Sequence, residues 1–194
     1  YLLPQVCSQI ARAHPELELQ IVALPRVFNL SRREADLAIA VTPPTQGRVV
    51  VRKITDYHLH LAASQTYLET CAPIMTRADL QNHPMVGYIP DMIFDSGLDY
   101  AQELGPDRPF LSSNSVIVQL HLLQQGAGIG MVHDFALSSA PGLTRILSDE
   151  ISLKRAYYLL RPGDQAAVDS RLARIADLLS DGLRRETARL EAVA

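Results

Sequence analysis

Apolar residues return along this chain at two different intervals, and the switching between them predicts its elements. Leu2, Leu3, Val6, Ile10 and Ala13 share one side of a helical period, and His14-Pro15 closes that run. Leu17, Leu19 and Ile21 then alternate with Glu18 and Gln20, the two-residue rhythm of a half-buried strand. A short helix is expected over residues 28–33. The apolar run 36–41, bounded by Pro43-Pro44, suits an interior parallel strand. Helix, strand, helix, strand in succession is the pattern of parallel βαβ units.

Two strands, 49–54 and 57–63, interrupt this rhythm and mark a place where the chain crosses from one sheet to another. Helical fragments follow at 67–70 and 78–81, and a strand at 84–89. Residues 90–104 show no regular period. A strand at 109–111 leads to a markedly apolar helix over 114–125, after which Gly126, Gly128 and Gly130 open a strand through Val132. Strands at 143–147 and 156–160 precede a long amphipathic helix over 168–190, whose stripe of Leu172, Ile175, Ala176, Leu179 and Leu183 faces a core. The class is α/β, and in such sheets ligands gather at the carboxyl ends of the strands, where the turns to helices lie.

Composition narrows the choice of function. The chain has 194 residues, 47% of them hydrophobic and 20% charged, enough to build a core without a disulfide or a structural metal. A net charge of −3 argues against a large nucleic-acid surface. Cys7 and Cys71 form no disulfide framework and are expected to be reduced, in the cytoplasm. No apolar run reaches the roughly 20 residues that span a bilayer. The opening Tyr1-Leu2-Leu3-Pro4 has no basic stretch before it and is not expected to be a signal peptide; the natural chain is expected to extend N-terminally.

Several motifs fail on inspection. The dinucleotide fingerprint needs glycines at its first, third and sixth positions between a strand and a helix; here the sixth position is Met131, and the glycines run from helix to strand. Those glycines more simply end a helix and allow close packing. His58 and His60 share a strand face, but no third ligand is evident, so no metal is expected. No phosphate loop, nucleophile elbow or zinc-protease helix motif is present. Arg32-Arg33 and Arg184-Arg185 read as solvated basic spots, and no cofactor is expected.

Asn29-Leu30-Ser31-Arg32-Arg33-Glu34-Ala35-Asp36-Leu37-Ala38-Ile39 resembles a branch of the LysR-type bacterial transcription regulators, where this segment carries a helix of the first regulatory lobe into its next strand. Val51-Arg52-Lys53-Ile54 and Leu61-Ala62-Ala63-Ser64-Gln65-Thr66-Tyr67-Leu68 resemble the family's crossover strand and following helix. Asp79-Leu80-Gln81-Asn82-His83-Pro84-Met85-Val86, Leu123-Gln124-Gln125-Gly126-Ala127-Gly128-Ile129-Gly130-Met131-Val132 and Pro141-Gly142-Leu143 are similar to later family segments, in the family's order. The resemblance implies an effector-binding domain of type 2 periplasmic-binding-protein-like fold: two Rossmann-like lobes joined by two crossover strands, here 57–63 and 156–161. Lobe I would comprise 1–60 and 160–194, and lobe II 61–159. A small effector would sit between them. The resemblance further implies self-association as a dimer or tetramer, and an N-terminal winged helix-turn-helix, outside this chain, that contacts DNA. Two departures stand out: the family's first strand is absent or precedes Tyr1, and His133-Asp134 replaces a common proline.

The candidate ligand residues lie at strand-to-helix turns. Ser112, Ser113, Asn114 and Ser115 stand where the apolar helix begins, and a helix N-terminus with its unpaired N–H groups attracts anions. One of them would serve as an ordinary N-cap, but four small polar residues exceed that need. Leu24, Pro25 and Arg26 occupy the matching turn of the first lobe; Arg26 is either a bidentate carboxylate partner or a solvated arginine. Tyr88, Ile89 and Asp91 follow one strand, with Tyr88 equally readable as a packed aromatic. Val132, His133 and Asp134 follow another, where His133 could hydrogen-bond a ligand or titrate near neutral pH, although a lone histidine is usually structural or solvated. The leading expectation is a non-enzymatic sensor of a small anionic metabolite. The alternatives are a transporter's solute-binding protein, which shares the two-lobed architecture, and an α/β enzyme, for which no activated nucleophile is visible.

Overall fold

The computed structural model describes residues 1–23, 35–44, 49–93, 95–100, 111–163 and 170–194. Its regular elements, in chain order, are α1 (Leu2–Ala13), β1 (Ala38–Ala40), β2 (Val49–Ser64), α2 (Gln65–Leu68), β3 (Met85–Gly87), β4 (Leu111–Ser112), α3 (Val116–Gln124), β5 (Ile129–His133), α4 (Asp134–Leu137), β6 (Leu143–Arg145), β7 (Ser152–Pro162) and α5 (Ser170–Glu191). They divide between two compact units, Tyr1–Asp56 with Ala156–Arg189, and Tyr57–Arg155 with Leu190–Ala194.

The first unit is organised by α1 and α5. Leu2, Val6 and Ile10, four residues apart, are buried, whereas Leu3 is half-buried and Ala13 exposed, a narrower stripe than the sequence suggests. On α5, Ala176, Leu179 and Leu183 are buried as expected, and Leu172 and Ile175 half-buried. The two helices approach at Gly182, where a Cβ would lie 2.5 Å from Val6 Cγ1, so any larger residue there requires Val6 or a helix to shift. Arg52, on β2, holds α5 with three bonds: 2.6 Å to Asp177 Oδ1, 2.9 Å to the Ala176 carbonyl and 2.6 Å to Ser180 Oγ.

Three expectations change in this unit. The run 36–41 forms β1, but its ladder among the described residues is antiparallel, on β7, with Ile39 opposite Leu159, and the strand is only half-buried. An apolar run carries no information about strand direction. Residues 17–23 keep the alternation, with Leu17 and Leu19 half-buried between exposed Glu18 and Gln20, yet form no strand, and Ile21 and Val22 are 49% and 55% exposed. Periodicity predicts which side chains turn inward; a strand also needs a neighbour to pair with. The strands expected at 49–54 and 57–63 are one strand, β2, of 16 residues, since no glycine or proline interrupts it. The helix expected at 28–33 lies outside the described residues.

In the second unit the sheet runs β2-β5-β3-β4, with β6 also on β2. β5 lies antiparallel to β2, Leu61 opposite Met131, and parallel to β3, Val86 opposite Gly130. Leu59, Leu61, Ala62, Ala63 and Ile129 are wholly buried in its core, and Leu123 of α3 is nearly so. At Gly128, φ is +135° and a Cβ would fall 2.1 Å from the Pro84 carbonyl, which accepts the Ile129 N–H at 3.0 Å. Only glycine permits that approach, and it sets the start of β5 beside β3.

Candidate functional site

Three parallel strands of the second unit end on one edge. Gly87, the last residue of β3, pairs with Ser112, the last of β4, and the Ser113 N–H carries the pairing one step further by donating to the Gly87 carbonyl at 3.0 Å. β5, parallel to β3 on its other side, ends there at His133. Six predicted site residues, Tyr88, Ser112, Ser113, Asn114, Ser115 and His133, are therefore brought to the carboxyl edge of one sheet, where an α/β fold opens toward ligands. Leu24, Pro25 and Arg26 lie outside the described residues. Ile89 leads into a 3₁₀ turn, Pro90–Met92, on which Asp91 is exposed.

The four polar residues before α3 have different partners. Ser113 is used locally: its Oγ accepts the Ser115 N–H at 3.1 Å, and its carbonyl accepts Gln119 Nε2 at 2.7 Å. Ser115 occupies the N-cap position in an extended conformation, but its side chain makes no capping bond. The cap that would normally satisfy a first-turn N–H is thus missing, and the positive end of the helix lacks its usual side-chain acceptor. Ser112 is exposed, and Asn114 half-buried.

Beside this polar turn stand aromatic rings. Tyr88 meets Tyr100 edge-on at 5.9 Å, and burial, aided by the Asp95 charge, pushes its phenol up to about 12. Tyr100 is 7% exposed, its hydroxyl lacks a hydrogen-bond partner among the described residues, and burial drives its pKa far above the ordinary value. His133 stacks on Tyr57 at 5.4 Å and lies 4.9 Å from Phe135. Burial among these rings pushes His133 down to about 4. Of the readings the sequence leaves open, titration near neutrality is excluded: the apolar surroundings keep the imidazole neutral, a hydrogen-bonding group without charge.

Asp134, the next residue, faces a different environment. Its buried carboxylate accepts His60 Nδ1 at 2.8 and 2.9 Å and lies 3.4 Å from Arg145 Nη1. Sequence reasoning named Asp134 only as part of a turn; its partners lie 74 and 11 residues away and carry no local signal. Tyr57 and Tyr100 were missed for the same reason. Gln119 could have been found, as a polar residue inside an apolar helix. Among the described residues no group of three or more His, Cys, Asp or Glu side chains is placed to hold a metal ion. Neutral hydroxyl and imidazole donors, aromatic walls and an uncapped helix end make a set suited to holding a small polar molecule.

The family model for the LysR substrate binding domain matches residues 1–184. The chain belongs to that family. This LysR-type domain is also similar, at 27% identity over 144 residues, to an uncharacterized HTH-type transcriptional regulator of Haemophilus influenzae, covering 72% of the chain and 49% of that protein. The domain thus spans about half the length of this curated relative. Among solved structures it is similar to the regulatory domain of CrgA, a LysR-type transcriptional regulator from Neisseria meningitidis, with a TM-score of 0.80, 23% identity and coverage of 94% and 92% of the two chains. It is also similar to the regulatory domain of an AphB variant from Vibrio vulnificus, with a TM-score of 0.71, 18% identity and coverage of 93% and 92%. At these identities the structural likeness establishes the fold: the α/β, periplasmic-binding-protein-like architecture expected from the sequence is the one found. Among the described residues, no helix is long and apolar enough to cross a membrane.

Proposed function

We propose that this LysR-type domain is the effector sensor of a cytoplasmic transcription regulator, and that it binds its ligand without transforming it. The ligand is a small anionic metabolite. It sits between two lobes, 1–60 with 160–194 and 61–159, against Tyr88, Ser112, Ser113, Asn114, Ser115 and His133 on one side and Leu24, Pro25 and Arg26 on the other. The observation that carries this reading is the uncapped start of α3 at the tips of three parallel strands, in a chain whose family is that of LysR regulators. A carboxylate there takes the acceptor role that the Ser115 side chain leaves open, and the neutral imidazole of His133 adds a hydrogen bond without a second charge.

The full-length regulator reaches DNA through an N-terminal winged helix-turn-helix and assembles as a dimer or tetramer. An effector shifts such an assembly only by its differential affinity for the alternative arrangements, typically about 1–3 kcal/mol of coupling. A thermal-shift screen of small carboxylates identifies stabilising compounds, and calorimetry on Asn114→Ala and Ser113→Ala then tests the site. The expected result is binding weakened about tenfold in at least one variant, with melting temperature preserved. Unchanged affinity in both removes the assignment.

A further inference from the structure

We propose that His58 and His60 form a two-point site for a divalent late transition-metal ion, Zn²⁺, Ni²⁺ or Cu²⁺. The inference is independent of the sensing role above. Leu59 and Leu61 are wholly buried while His58 and His60 are half-buried, so both imidazoles leave β2 on the same face. Two residues of strand separate their origins by about 6.6–6.8 Å, a span that two side chains close onto one ion held at roughly 2.0–2.1 Å from each nitrogen.

What distinguishes this pair from any two neighbouring histidines is the support behind each ring. His58 Nδ1 lies 3.2 Å from Glu191 Oε2, and Glu191 Oε1 also accepts the His58 backbone N–H at 2.7 Å. His60 Nδ1 is bracketed by both oxygens of Asp134, at 2.8 and 2.9 Å. A neutral imidazole whose Nδ1–H donates to a carboxylate has its lone pair on Nε2, in a fixed orientation. Metal-ligating histidines are supported in this way.

Among the described residues both rings bond through Nδ1 only. Their side chains are 41% and 13% exposed, unlike His83, whose unpartnered Nε2 is sealed inside the protein. Among the described residues, the ion-pair partners of the pair are two carboxylates, with the Arg145 guanidinium beside Asp134, a balance that favours a cation. Since the described residues offer no group of three or more ligands, water or an exogenous donor completes the coordination, and the ion is exchangeable rather than structural. Imidazole donors select Cu²⁺, Ni²⁺ and Zn²⁺ over Mg²⁺ and Ca²⁺, with Cu²⁺ held most tightly.

The test is calorimetric titration of the metal-free domain with CuCl₂, ZnCl₂ and, as a control, MgCl₂. One equivalent of Cu²⁺ or Zn²⁺ should bind saturably, Cu²⁺ more tightly, with no response to Mg²⁺. His58→Ala and His60→Gln should each reduce affinity by more than the roughly 10–100-fold expected for the supporting Glu191→Gln variant. Melting temperatures of the metal-free variants show whether each folds; if His60→Gln does not, His58→Ala and Glu191→Gln decide. No saturable binding of either ion, or wild-type affinity in a folded histidine variant, overturns the proposal.

Discussion

Two histidines on neighbouring strands of the same sheet illustrate how this fold assigns chemistry by face. His133 on β5 lies opposite Leu59 on β2, and His60 on β2 lies opposite Val132, so the two imidazoles are one register step apart and project to opposite sides. On one side His133 stacks on Tyr57, lies tilted against Phe135, and is kept neutral. On the other, His60 is held by a buried carboxylate that also attracts Arg145. Residue type is the same in both; the side of the strand decides whether it joins an aromatic cluster or a charged clamp.

Asp134→Ala should break the charged side most severely. It leaves His60 and Arg145 without their shared carboxylate, and removing one partner of a buried ion pair costs about 3–5 kcal/mol. Denaturant unfolding should show this as a lower midpoint at unchanged slope.

The neutral side should respond to pH in the opposite sense to a salt-bridged histidine. The His133 pKa falls from 6.5 to about 4 on folding, so between those values the unfolded chain binds the extra proton. Its contribution to stability is therefore fully present above about pH 6.5 and is lost as pH falls toward 4, by on the order of 3 kcal/mol across the window. His133→Phe, which keeps a ring in the stack, should flatten that part of the stability profile relative to wild type. Parallel profiles for the two proteins would contradict the assignment.

The smallest expected effect is at Ser115. Replacing an N-cap serine by alanine ordinarily costs about 1 kcal/mol, but this side chain makes no capping bond. Ser115→Ala should cost less than about 0.5 kcal/mol in denaturant unfolding while changing effector affinity, a separation that an ordinary cap does not show.

Much of the architecture is legible in the sequence because it rests on local rules. The four-residue spacing of Leu2, Val6 and Ile10, the stripe from Ala176 to Leu183 and the glycines before β5 each report a face or a turn that neighbouring residues determine. The join of two expected strands into β2, and the antiparallel ladder of β1, depend on partners distant in the chain, which no window of sequence contains. The candidate site divides along the same line. Ser112 to Ser115, Tyr88 and His133 end or directly follow strands and precede helices, so their shared edge follows once the strands are parallel. That Tyr57 and Phe135 cluster with His133, and that His60 reaches Asp134, are products of register, as is the loss of charge at His133 that burial brings.

Amide chemical shifts of the labelled domain, followed while a stabilising carboxylate is added, report directly whether the ligand meets the strand tips of the second unit. The largest saturable changes should fall at Tyr88, Ser113, Asn114, Ser115, the first turn of α3 and His133. Changes concentrated instead on α1 and α5, with the strand tips unmoved, would contradict that placement.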